Sequence, residues 1–251
     1  MSAGAATTPI RVHPRAARGA EALEHGLALC AAALIALPLP VGTPLRRATI
    51  PLILLAGALA LGRRSGALAA LRVAAVAGAV GLALEVVAVA AGTFQHRDAA
   101  VLRFWVPLAW AAFAFPAVAL AAARTRSRAV RSACGSAALV SLALLWDPLG
   151  LHAGAFTWPG GGSYAAGVVG FDGSRGIPAG SFSGWVIVGA CAALASGTPR
   201  EGAPATLPPL HALLFAALAW RVLDAGIDGV LLPAAAAAAL ALLLARWRRA
   251  R

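Results

Sequence analysis

Two carboxyl groups stand where an apolar chain has least reason to keep them. Glu85 lies inside AVGLALEVVAVAAG and Asp147 inside LALLWDPLG, each within a run suited to lipid. A carboxylate at the centre of a membrane helix costs on the order of 2.5–3.5 kcal/mol on insertion scales, so such residues are rare and usually functional. Plainer roles stay open for both. Glu85 can pair with an arginine across a bundle, and Asp147 with Pro148 can simply turn the chain out of its helix. Of the remaining acids, Glu21, Glu24, Asp98, Asp172 and Glu201 fall in tails or loops. Arg221, Asp224 and Asp228, at i, i+3 and i+7, read as a self-paired cluster on one helix face.

The surroundings of Glu85 and Asp147 resemble each other. Glu85 is followed by Gly92 and Phe94, Asp147 by Gly154 and Phe156, with identical spacing. Downstream, WVPLAW (Trp105 to Trp110) has an echo in GIPAGSFSGW (Gly176 to Trp185), where Pro178 again precedes a tryptophan. The pattern predicts a parallel internal repeat of two-helix units with the second loop expanded, and a site between them. Gly92, Gly154, Pro148 and Pro178 would shape its turns. Pro148 would break the bond to the Leu144 carbonyl and turn the chain toward the following loop.

Paired carboxyls in a dry pocket suit acid chemistry on an apolar substrate, because one of them can hold a proton and donate it. Tryptophan faces would favour a cation over its neutral precursor. Trp110, Trp146, Trp158 and Trp185 are the candidates, with Phe156, Tyr164 and Phe182 as further substrate-binding aromatics from the loop region. Trp105 and Trp247 read instead as membrane-interface residues.

Composition sets the solvent. The 251 residues are 61% hydrophobic and 12% charged, with a mean hydropathy of +0.82, which points to a polytopic membrane protein. Strands of a barrel would alternate, and these Ala/Leu/Val blocks do not, so the expected fold is an all-α helix bundle. Candidate spans cover 26–43, 47–62, 73–92, 104–123, 132–149, 183–197, 207–223 and 229–245, giving seven to eight crossings. Residues 1–25 read as a polar cytoplasmic tail and 26–251 as a single transmembrane domain. A long Gly/Pro/aromatic loop at about 150–182 is expected to fold over the bundle as a lid or re-entrant segment.

The net charge of +12 is carried entirely by arginine. Eight spans put fifteen arginines on the side of both termini and six on the other, which places both ends in the cytoplasm of a bacterial-type cell membrane. No basic stripe interleaves with aromatics, which argues against a nucleic-acid partner. Cys30, Cys134 and Cys191 are far apart and give no metal-ligand spacing. No Walker loop, dinucleotide fingerprint or H-E-x-x-H occurs, and the five histidines give no ligand pair, so neither metal nor cofactor is expected.

These motifs also carry a family resemblance. Glu85 in its Gly-rich helix, VPLAW, DP, FTW, GGGSY, GIP and SFSGW resemble the carotenoid biosynthesis family of integral-membrane hydratases, over roughly Leu82 to Trp185. The chain departs from that family at QHRDAA, where an aromatic-rich stretch is usual, and at Ser181, where Asn is usual. The resemblance implies addition of water to a terminal C=C of a long polyene, with membrane lipid around the protein. It also leaves room for association with other carotenoid-pathway enzymes. A carotenoid or terpene cyclase using the same acid step without water is the first alternative. A non-enzymatic transporter or assembly factor is the second.

Overall fold

The computed structural model describes residues 14–37, 48–98, 100–122, 127–198 and 209–246. Among them are eight helices: α1 (Pro14–Ala36), α2 (Thr49–Ser65), α3 (Ala67–Ala90), α4 (Ala100–Ala122), α5 (Arg128–His152), α6 (Phe182–Ala195), α7 (Pro209–Asp224) and α8 (Leu231–Arg246). Four of them, α1, α3, α4 and α5, contain stretches long and apolar enough to cross a membrane. The Ala- and Leu-rich composition favours helix, and long apolar segments satisfy their backbone internally. Helix α5 is central, packing on α4, α6, α7 and α8. The long apolar faces of α1 and α3 are largely exposed, as a lipid-facing surface would be.

Several boundaries differ from those read in the sequence. Helix α1 starts at Pro14, not near 26, so half of the expected tail is helical. Proline is tolerated in a first helical turn, where its missing N–H has no partner to lose. Glu24, assigned to that tail, is fully buried and paired with Arg63 and Arg64 of α2. Helices α2 and α3 are separated by a single residue, Gly66 at φ 97°, where a longer polar connection was expected. Helix α7 ends at Asp224, so Asp228 leaves the predicted shared face while the Arg221–Asp224 ion pair forms.

Both acid-bearing helices end in the same way. After α3, Gly92 (φ 69°) donates to the Val89 carbonyl and Thr93 to that of Ala88, each at 3.0 Å. After α5, Gly154 (φ 63°) donates to Leu151 and Ala155 to Gly150, each at 2.9 Å. These are Schellman ends, which need a left-handed residue that glycine supplies without a Cβ clash. The released segments pair as antiparallel strands β1 (Gln95–His96) and β2 (Phe156–Thr157), with Gln95 opposite Thr157. Those two residues are equivalents in the repeat, so the pair sits on a local two-fold relation between the units.

Pro148 does not turn the chain. Helix α5 continues through it to His152. The proline still removes the N–H that would bond Leu144, and the freed carbonyl accepts the Tyr164 hydroxyl at 2.7 Å. A neighbouring side chain thereby restores what the proline takes away, as buried membrane helices require. Tyr164 begins strand β3 (Tyr164–Val169), which pairs antiparallel with β4 (Arg175–Ile177). The expected loop therefore contributes β2 to one strand pair and both strands of another, and it packs back on α5. Its turn is held by Asp172, whose Oδ1 accepts from the hydroxyls of Ser174 and Thr157, each at 2.7 Å.

Two outcomes follow. Tyr164→Phe should destabilise the protein by about 1–3 kcal/mol, the cost of an orphaned buried carbonyl. The loss should shrink in a Pro148→Ala background, where an N–H returns to Leu144. Denaturant unfolding in micelles measures this double-mutant cycle. For the loop, hydrogen bonds chiefly from Ser174, then Thr157, hold the Asp172 carboxyl below its ordinary value. The clasp should be fully present above that value, about 4, and be lost as pH falls below it. Protection of the Gly170 and Ser174 amides, relative to their intrinsic exchange at each pH, should hold from pH 8 to 5 and fall only in stronger acid.

Candidate active site

Glu85 and Asp147 line one cavity of ≈ 1060 Å³. Each sits seven residues before its Schellman glycine, so the repeat sets them at equal distances from their helix ends. Asp147 is only 4% exposed, while the Glu85 side chain keeps 18%. Each carboxyl is held by an indole from the later helix of its own unit. Trp110 of α4 donates its Nε1–H to Glu85 Oε1 at 2.7 Å, and Trp185 of α6 donates to Asp147 Oδ2 at 3.0 Å. The two indoles then meet each other, with ring centroids 4.1 Å apart and planes at 44°.

Local sequence makes that meeting possible. Gly81 lies one turn before Glu85 on the same helix face. A Cβ there would overlap the Trp110 ring, so only glycine lets the indole lie flat on α3 and still reach the carboxyl. The stack continues through Phe113, 6.1 Å from Trp185 and 4.9 Å from Trp146. A second aromatic group covers the cavity from the strand pair. Phe94, Phe156 and Trp158 stand 5.2–5.4 Å apart, all three buried.

One polar residue interrupts this upper group. His96 on β1 places Nε2 2.6 Å from Glu85 Oε2 and meets Phe94 edge-on at 4.8 Å. The histidine spacing offers no metal-ligand pair. His96 instead partners the carboxylate, which spacing alone did not show. A signal did exist. Strand alternation puts residues 94 and 96 on one face, just after the glycine that returns the chain across the end of α3. At the cavity wall the Ser181 Oγ is enclosed and has no hydrogen-bond partner among the described residues.

Of the residues picked from sequence, Trp110, Trp146, Phe156, Trp158, Trp185, Gly154 and Pro178 line the cavity beside the two acids. Tyr164 and Phe182 do not. They pack edge to face on each other at 5.0 Å, and Tyr164 serves the Leu144 carbonyl instead. Gly92 and Pro148 act on the backbone outside the cavity. Trp105, expected only as an interface residue, is 37% exposed and also borders the cavity, with Phe104 at 70%. That edge opens toward the apolar surface. A large aromatic-lined cavity with few convergent polar groups is the usual form of a small-molecule site.

The indole stack can be tested through Gly81. Gly81→Ala should displace Trp110, break its bond to Glu85 and cost about 1–3 kcal/mol, as overpacking does. Gly19→Ala, which meets nothing within 4 Å in α1, should be neutral or stabilising. Thermal unfolding and tryptophan emission in detergent distinguish the two.

No family model matches this chain, and neither does any curated protein or solved structure.

Proposed function

We propose that the protein is a membrane-embedded enzyme that hydrates a terminal C=C of a carotenoid or related isoprenoid by acid catalysis. The observation carrying this reading is the pair of indole-held carboxyls in one aromatic cavity. A carboxylic acid protonates the alkene, and a tertiary carbocation forms against the Trp110 and Trp185 faces. A ring quadrupole stabilises such a cation more than its neutral precursor. Water adds to the cation and gives up a proton to a second carboxylate, so alkene and water become a tertiary alcohol. Ser181 Oγ is a hydrogen-bonding group on the cavity wall available to that water.

The cavity suits a substrate class of this kind. Its size is at the upper end of ordinary ligand pockets, and its walls favour hydrocarbon over polar solutes. The exposed edge at Phe104 and Trp105 would let a long chain enter from lipid. In this reading all eight helices cross or line the membrane, both termini face the cytoplasm, and the partners are the polyene and surrounding lipid. The resemblance in motif order, from Glu85 to SFSGW, supports the same assignment.

Expression in hosts accumulating lycopene or related polyenes, with pigment mass measured, tests the reading. A product heavier by one water supports hydration. An isomer of unchanged mass moves the assignment to a cyclase, and no change across several polyenes, with folded protein, overturns it. Glu85→Gln and Asp147→Asn should each reduce product by at least about 100-fold while leaving protein level and membrane insertion intact.

A further inference from the structure

The two halves of the site share a plan but differ in what partners each acid. Each has an acid held by an indole N–H, and the two indoles stack on each other. The sequence offset that carries Glu85 onto Asp147 carries His96 onto Trp158. One unit sets an imidazole against its carboxyl, while at the equivalent position the other carries Trp158, which packs on Phe94 and Phe156. Glu85 has both oxygens engaged, Oε1 by Trp110 and Oε2 by His96. Asp147 has Oδ2 engaged by Trp185, and Oδ1 has no hydrogen-bond partner among the described residues.

We propose, resting on the hydration reading above, that this asymmetry in partners divides the labour between the two acids. Asp147 is the proton donor, and His96 with Glu85 forms the dyad that takes the proton from water. Glu85 has each oxygen directed at a protein partner, Trp110 or His96, and so is oriented by both. Asp147 Oδ1 remains available to carry a proton toward an alkene. The dyad has the arrangement that general-base catalysis uses, an imidazole within hydrogen-bond reach of an orienting carboxylate. His96 also borders the cavity itself, so it can meet water there.

The step balances. The Asp147 O–H breaks and a C–H bond forms at the less substituted carbon of the terminal alkene, leaving an Asp147 carboxylate and a tertiary cation at its neighbour. The oxygen of a water forms the C–O bond, and one water O–H proton passes to the His96–Glu85 dyad. Proton exchange through the cavity mouth returns that proton to Asp147. The other charged groups bordering the cavity are Arg97 and Asp98, just beyond β1. The cavity residues of α4 and α6 are uncharged.

Purified protein in lipid nanodiscs with lycopene, in deuterated buffer, separates the two roles. Wild type should yield deuterated alcohol. His96→Gln should lose about 100-fold in hydration, the usual worth of a general base. It should still wash deuterium into unhydrated lycopene, because Asp147 forms the cation and its carboxylate can then take the original hydrogen from the carbon just deuterated. Asp147→Asn should abolish both signals. Hydration by His96→Gln at the wild-type rate overturns the proposal. So does equal loss of both signals in that variant, with tryptophan emission showing an intact site. A wild type that neither hydrates nor exchanges is the separate failure of the hydration reading, and the proposal then falls with it. Independently of turnover, the His96 Nε2 resonance in 15N-histidine-labelled protein should move in Glu85→Gln, and an unmoved resonance overturns the dyad.

Discussion

Burying two carboxyls in an apolar bundle is the constraint around which the rest of the structure is arranged. Each needs hydrogen-bond donors, and donors bring their own desolvation cost. Indole meets the demand with one N–H on an otherwise apolar ring, so the carboxyls are bound without adding formal charge. Trp110 and Trp185 do this and then stack on each other, tying the two acids into one unit. The stack draws α3 against α4 through Gly81 and α5 against α6 within the second unit.

The ends of α3 and α5 serve the same purpose. Gly92 and Gly154 close both helices by the same pair of bonds and release the chain into β1 and β2, which pair across the local two-fold relation. Backbone pairing there roofs the cavity with Phe94, Phe156 and Trp158, so connections between the apolar helices become part of the wall. Pro148 and Tyr164 add a second tie. A carbonyl left unbonded by a proline in α5 becomes the anchor of the following loop. The loop is thus held by hydrogen bonds that the helices themselves lack.

Near-symmetry also gives the site its chemical interest. Two equivalent acids would compete for the same role. Glu85 has a histidine partner that Asp147 lacks among the described residues, and it is also the more exposed of the two. The departure from the resembled family at QHRDAA falls on that histidine. That sequence difference therefore lies at the cavity wall, against Glu85.

The membrane-type helical composition, both acids, the repeat and most of the cavity tryptophans were legible in the sequence, because apolar periodicity and misplaced charge are local signals. The glycine spacing after each acid was legible too, since a Schellman end needs a left-handed residue at one defined step. Helix ends were less so. Pro14, Gly66 and Pro148 each allow two outcomes locally, and packing chose between them. The burial of Glu24 depended on Arg63 and Arg64 arriving from another helix. What only tertiary structure decided was partnership. Trp110 and Trp185 became donors to the acids, Tyr164 became a backbone partner and not a wall of the cavity, and His96 met Glu85. These depend on distances between helices and across a strand pair, which no spacing along a single chain encodes.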